Sequence, residues 1–87
     1  MSSESSVIIR PVITEAALEA IERENKLVFI VSRKANKHVI RRAIERLYEV
    51  EVMKVNTAIL PTGEKKAYIT LRPGFKASDI ATKLGVF

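Results

Sequence analysis

The sequence predicts a single small α+β domain, in which helices pack on an antiparallel sheet of three or four strands. Apolar residues recur at the helical period from Val39 to Tyr48, and side chains alternate at a period of two from Val52 to Ile59. The segment 61–64, Pro-Thr-Gly-Glu, is a turn sequence that leads into a second alternating segment, so the two segments predict a hairpin. The expected element order is β-α-β-α-β-β-α.

The domain boundary and two further strands follow from shorter patterns. Residues 1–6 have no apolar side chain after the initiator, so they are predicted to be a disordered tail before a domain at 7–87. A short strand from Val7 to Ile9 is expected to stop at Pro11. The segment Leu27 to Val31 is apolar at every position, which predicts a central strand covered on both faces.

Three helices are predicted, and each has a recognisable start or end. Thr14 is the expected N-cap of the first and Asn25 its end, Asn36 is the expected N-cap of the second, and Gly85 is the expected left-handed stop of the third. The residues expected to face the core are Ala17, Leu18 and Ile21 in the first helix, Val39, Ile40, Ala43, Ile44, Leu47 and Tyr48 in the second, and Ile80, Ala81 and Leu84 in the third, with Val86 or Phe87 packing back.

The hairpin is predicted to have one apolar and one polar side. The apolar side comprises Met53, Val55, Thr57, Ile59, Ala67, Ile69 and Leu71, and the polar side comprises Lys54, Asn56, Ala58, Lys66, Tyr68, Thr70 and Arg72. The polar side combines cations, an amide, hydroxyl groups and one aromatic ring, a composition that suits contact with RNA. An ordinary solvent-facing half of a sheet has a similar composition, so this alternative stays open.

The chain carries a net charge of +5, and that charge is unevenly distributed. Residues 1–25 contain two cations and five anions, whereas residues 26–46 contain seven cations and one anion. This segregation predicts a two-sided molecule whose basic side attracts an acidic partner such as nucleic acid.

Several of these cations surround the predicted start of the second helix. They are Arg33, Lys34, Lys37, Arg41 and Arg42, and the single histidine, His38, lies among them. Cations at a helix start oppose the positive end of its dipole, at a cost of about 0.3–1 kcal/mol each when exposed, so folding alone gives no reason to gather them there. Phosphate groups would supply the reason, because free N–H groups and cations converge on them. A solvated face on which Arg41 pairs with Glu45 is the alternative.

Catalysis, metal binding and membrane insertion are not expected. The chain has no cysteine, and His38 is its single histidine, so no thiolate or histidine metal site is predicted. Glu45, Glu49 and Glu51 lie too close in sequence to be taken as an acid/base pair, and no nucleophile and base stand out. The longest apolar run, at 27–31, is far short of the roughly 20 residues of a membrane helix. The chain is therefore predicted to be no enzyme, with no cofactor and no small-molecule substrate.

Four motifs, in order, resemble the family of large-subunit ribosomal protein twenty-three. They are Ile13–Glu15, Asn36–Ile44, Val52–Thr57 and Lys65–Leu71, within a resemblance that extends from about Val7 to the C-terminus. The resemblance implies a cytoplasmic structural protein of the large ribosomal subunit that binds rRNA beside the nascent-chain exit tunnel. It also implies three partners: large-subunit protein twenty-nine, the signal recognition particle and nascent-chain chaperones.

With that resemblance, the predicted site residues are grouped as two surfaces. The rRNA-binding residues are Arg33, Lys34, Lys37, His38, Arg41, Arg42, Lys54, Asn56, Thr57, Lys65, Lys66, Tyr68 and Arg72. Glu15 occupies the place of a chaperone-docking glutamate in bacterial relatives, and Thr14 precedes it. The exposed acids Glu15, Glu19 and Glu22 otherwise fit a plain solvent-facing helix, so both interpretations of this helix stay open.

Two positions depart from the pattern of the family, and one alternative function is retained. Ala16 stands where many relatives have lysine, so the docking partner or its contacts are expected to differ. The tight turn at 61–64 replaces the long basic loop of bacterial relatives, so a role in lining the tunnel is not expected, and the short form resembles archaeal or eukaryotic members. The alternative is a free-standing module that binds single-stranded RNA.

Overall fold

The computed structural model describes residues 4–86, with side chains from Ser6 onward, and confirms the α+β class. Its elements are α1 (Glu4–Val7), β1 (Ile8–Pro11), α2 (Glu15–Glu24), β2 (Lys26–Val31), α3 (Lys37–Tyr48), β3 (Val52–Ile59), β4 (Lys65–Leu71) and α4 (Ala77–Leu84). After the single helical turn α1, the order is the predicted β-α-β-α-β-β-α. The four strands form one antiparallel sheet in the order β1-β2-β4-β3.

Strand β2 lies inside the sheet, as its unbroken apolar sequence predicts. Phe29 and Val31 are each 1% exposed and belong to the main core, which packs beneath the helices. Val28 and Ile30 point to the other side and are also buried. Cover on that second side comes from the side chains of neighbouring strands and of α2, which packs beside β2.

Helix α3 is the main cover of the core face. Ile40 and Ile44 are fully buried against the strands, and Tyr48 stacks on Phe29 with ring centroids 6.4 Å apart. Val39 and Leu47, predicted to face the core, are instead 38% and 42% exposed, because they lie at the margins of the apolar stripe. Burial raises the pKa of the Tyr48 hydroxyl above its ordinary value of 10.0, so this ring stays neutral at physiological pH.

Irregularities in both edge strands correct two details of the prediction. The register of β3 shifts between Val52 and Lys54, so Val52 faces the core and Met53, predicted to do so, is 50% exposed. Strand β1 runs from Ile8 to Pro11 rather than from Val7 to Ile9, because Val7 ends α1 and an edge strand tolerates a proline.

The predictions for the two ends of the domain can be compared with the structure only in part. Backbone of residues 4–6 belongs to α1, while residues 1–3 of the predicted tail lie outside the described residues, so disorder of the tail stays a prediction. At the other end, Gly85 has the expected positive φ of 78° and Val86 packs against the core, while Phe87 is outside the described residues. Over residues 4–86, every helix is too short or too polar to cross a bilayer.

Asn25 does more than end α2. It adopts the left-handed conformation with φ 54°, and its side-chain amide joins three distant segments. Its Nδ2 donates to the Phe75 carbonyl oxygen at 2.7 Å and more weakly to that of Leu71 at 3.4 Å, and its Oδ1 accepts from the Ala77 N–H at 2.7 Å. The first free N–H of α4 is therefore satisfied from α2, since the N-cap Lys76 makes no side-chain cap.

Candidate nucleic-acid interface

The start of α3 is built on a side-chain cap. Asn36 has extended backbone, and its Oδ1 accepts the N–H of Val39 at 2.9 Å. The first turn contains no acidic residue. The fully buried Ile40, one turn in, anchors this end on the sheet, so the exposed side chains around it project from a fixed backbone.

Six side chains form what we call the α3 patch: Arg33, Lys34, Lys37, His38, Arg41 and Arg42. All six are exposed. Arg41 reaches Glu45, with Nε 3.6 Å from Oε2, and this is the only ion pair that the patch makes among the described residues. Glu45 also accepts the N–H of Val52 at 2.9 Å, so its charge is shared with the backbone. The predicted pairing of Arg41 with Glu45 is thus confirmed, while the choice between a solvated face and a phosphate-binding one stays open.

Lys65 joins the hairpin to this patch. Its Nζ donates to the carbonyl oxygen of Ala35 at 2.6 Å, immediately before the N-cap of α3. Arg33 also lies beside the hairpin turn, because a Cβ placed on Gly63 would be 3.7 Å from its Nη1. The turn itself is tight, as predicted: the N–H of Leu60 donates to the Glu64 carbonyl, and the N–H of Gly63 donates to the Leu60 carbonyl, each at 2.8 Å.

A second group of polar side chains lies on the side of the sheet opposite α3, which we call the open face. Strand register places its residues in three rows: Arg10, Ile30, Lys66 and Ala58; then Val28, Tyr68 and Asn56; then Lys26, Thr70 and Lys54. Residues directly opposite one another in paired strands lie on one side of a sheet, about 5 Å apart. The predicted polar residues Lys54, Asn56, Lys66 and Tyr68 therefore lie together.

The charges of the open face are partly paired. Arg10 binds Glu64 at 2.9 Å, and Lys26 binds Glu24 at 3.1 Å. Lys66 lies over the ring of Tyr68, with Nζ 5.2 Å from the ring centroid. Among described residues Lys54 makes no ion pair, so the face retains an excess of positive charge.

Strand pairing also separates residues that the sequence grouped together. The α3 patch and the open face lie on opposite sides of the sheet and meet at the hairpin end, where Lys65 points to one side and Lys66 to the other. Thr57 is half-buried opposite Ala67, on the helix-covered side. Arg72 is at the far end of β4, about 23 Å from Lys65 at the usual strand rise, and lies 3.8 Å from Glu51.

Two cations of the open face, Arg10 and Lys26, were missed by the sequence analysis. They lie on β1 and β2. The sequence did not reveal how β1 pairs with β2 or how β2 pairs with β4 of the hairpin. The alternation of Lys26, Val28 and Ile30 was the available signal, but an all-apolar run conceals which side is open.

The acidic helix α2 lies apart from the α3 patch. Thr14 caps it by accepting the Ala17 N–H at 3.1 Å, and Glu15, Glu19 and Glu22 are exposed. Beside this helix start, the half-buried Val12 and the 59% exposed Ile13 line an open groove of about 360 Å³. The predicted docking residue Thr14 therefore borders this groove, whose lining also includes Arg10, Glu64 and Lys66, and Glu15 follows it in the chain.

Comparison with known families gives the class of this protein. A family model described as "Ribosomal protein L23" matches residues 6–78, most of the chain. The match defines a structural protein of the large ribosomal subunit, located in the cytoplasm, and its family is not one of enzymes. More particularly, the chain belongs to the ribosomal protein L23 family, which confirms the predicted resemblance. The matched residues end within α4, whereas the resemblance was predicted to reach the C-terminus. Among described residues, no three His, Cys, Asp or Glu side chains cluster as metal ligands would.

Proposed function

We propose that the chain binds large-subunit rRNA with two surfaces that meet at the hairpin end, the α3 patch and the open face. The observation that carries this proposal is the set of five exposed cations at the start of α3, four of which have no carboxylate partner among the described residues. Lys37, in the first turn of α3, disfavours the free helix by about 0.3–1 kcal/mol, and phosphate groups reverse the sign of that effect. The two surfaces can bind RNA on opposite sides of the sheet, at the hairpin end.

The test is the salt dependence of rRNA binding by the full chain and by a double variant, Lys37→Ala with Arg41→Ala. Each contact with a duplex phosphate that is lost should make the slope of log affinity against log salt shallower by about 0.9. The double variant removes two cations, so its slope should be shallower by up to about 1.8. The matched control is Lys76→Ala with Lys83→Ala, which removes the same charge from exposed positions at α4.

The result separates binding from folding because the substituted side chains are exposed. The double variant should unfold at the same urea concentration as the parent or a slightly higher one. Equal losses of affinity in the two double variants would mean that the α3 patch contributes only its net charge and is not a specific binding surface. A flat salt response of the parent would refute the proposal.

We further propose that the chain lies near the nascent-chain exit tunnel, beside large-subunit protein twenty-nine, and that α2 helps to dock chaperones and the signal recognition particle. Support comes from the separation of charges: the exposed acids of α2 lie away from the α3 patch, and Thr14, which precedes Glu15, lines the groove at Ile13. With the α3 patch and the open face on rRNA, the side of α2 that carries Glu15, Glu19 and Glu22, away from Ala17 and Ala20, is left accessible to basic partners.

Docking is tested on assembled large subunits. Glu15→Lys should weaken binding of the signal recognition particle or a nascent-chain chaperone, whereas Glu22→Lys, an equal charge change on the same helix, should have a smaller effect. Crosslinks from the chain to rRNA and to protein twenty-nine test its location in the same subunits. Identical behaviour of the two glutamate variants would argue against a specific role for Glu15.

A further inference from the structure

We propose that the groove between α2 and the open face holds one unpaired base of the bound RNA, stacked against Tyr68. This inference rests on the proposed RNA binding and deepens it, because it assigns different RNA to the two surfaces. The α3 patch holds phosphates of a paired region, and the groove holds a nucleotide that has left its helix.

The shape of the groove fits a flat apolar group. Its floor is Val28, which is 6% exposed, and the wall on α2 is made of the small side chains of Ala16, Ala17 and Ala20. Tyr68 forms the opposite wall, and the open space between them is about 240 Å³. Alanines on α2 keep the helix surface low here, so α2 leaves space for a ring against Tyr68, and the flexible Lys66 side chain, whose Nζ lies over that ring, moves aside as the base enters.

The ring of Tyr68 is held in place before any ligand arrives. It is half-buried between Val28 and Asn56, the residues opposite it on β2 and β3. The ammonium group of Lys66 lies 5.2 Å from the ring centroid and restricts it further. An ordered ring loses little entropy when a base stacks on it, and such stacking contributes about 1–3 kcal/mol per base.

The polar groups around the ring favour a nucleotide over a peptide. Asn56 presents both an acceptor and donors beside the ring, which suits the edge of a base. Lys66 lines the groove and Lys54 lies in the next row, so a phosphate can be neutralised on either side. Glu24, the carboxylate at the rim, is already paired with Lys26 at 3.1 Å, so it repels the backbone of RNA less.

The chain offers a direct optical test of stacking. It contains two tyrosines and no tryptophan, so in a Tyr48→Phe variant the emission of Tyr68 is observed alone. We expect that emission to be quenched by an RNA hairpin with an unpaired loop. A blunt duplex with the same number of phosphates should leave it nearly unchanged while still binding.

Affinity measurements with the same two RNAs complete the test. Tyr68→Leu should reduce affinity for the looped RNA by about 5- to 150-fold, the range that corresponds to one stacked base, and Tyr68→Phe should retain most of it. Affinity for the duplex should not change in either variant, and circular dichroism checks that both fold.

The outcomes distinguish this inference from the function on which it rests. If both RNAs bind with a steep salt dependence but Tyr68→Leu changes neither affinity and no quenching occurs, the groove is not a base site and is left for a protein segment. If neither RNA binds, the proposed rRNA binding fails, and this inference fails with it.

Discussion

Helices α2 and α3 begin in the same way but carry opposite charges. Each has an extended N-cap residue whose side-chain oxygen accepts an N–H three residues on, Thr14 in α2 and Asn36 in α3. The first turn of α2 contains Glu15, which suits the positive end of a helix dipole. The first turn of α3 contains no acid, and cations surround it.

This difference shows which charges folding explains. The acid at the start of α2 stabilises its own helix, so it needs no partner to account for it. The cations of the α3 patch act against their helix, so α3 depends on its cap and on its buried side chains for stability. The charge at the start of α2 is therefore explained by folding, whereas the charges at the start of α3 are explained by a ligand. Three predictions test this distinction.

The largest effect is expected from the apolar anchors. Ile44 of α3 is fully buried, whereas Leu18 of α2 is half-buried. Ile44→Ala should lower the free energy of unfolding by about 2–5 kcal/mol, and Leu18→Ala by about half as much, because Leu18 already has part of its surface in water. Urea denaturation of the full chain measures both. Equal losses would mean that α2 depends on its apolar contacts as much as α3 does, which contradicts the particular dependence of α3 on its buried side chains.

The two caps should have effects of intermediate and similar size. Asn36→Ala and Thr14→Ala each remove one acceptor from a helix start, at a cost of about 0.5–2 kcal/mol in the free energy of unfolding. Asn36→Asp is the matched control, because it keeps the acceptor and adds a negative charge among the cations. That control should be at least as stable as the parent. A negligible loss from Asn36→Ala would show that other contacts hold the start of α3.

The smallest effects should have opposite signs in the two helices. Lys37→Glu should raise the free energy of unfolding by about 0.3–1 kcal/mol, and Glu15→Lys should lower it by a similar amount, both at low salt. The first change also places a glutamate four residues before Arg41, a favourable spacing. Both effects should shrink as salt is added. Lys37→Gln should lie between the parent and Lys37→Glu, and destabilisation by Lys37→Glu would instead assign the lysine a structural role.

Local patterns in the sequence sufficed for the element order after α1 and for the N-caps of α2 and α3. Ile40 and Ile44 recur at the helical period, and the unbroken apolar run at 27–31 marks an interior strand, so neither depends on distant residues. The bulge at Met53 was invisible, because it arises from pairing with β4 rather than from the sequence of β3.

The candidate site was predictable to a similar extent. The α3 patch is contiguous along one segment, and its exposure followed from the helix around it. The open face combines side chains from all four strands, so its composition depends on register, and Arg10 and Lys26 could not be assigned to it. Lys65, predicted to bind rRNA, points to the helix side and reaches the carbonyl of Ala35, so it lies with the α3 patch, and its contact with rRNA stays a prediction.

The three hydrogen bonds of Asn25 have a consequence for the order in which the chain can fold. Their partners lie 46, 50 and 52 positions further along the chain. During synthesis, the junction of α2 with β2 therefore lacks these bonds until Ala77 has been added. Contacts of such long sequence separation form late and slow the reaction. The domain is thus expected to complete its structure only once nearly its whole length has been made.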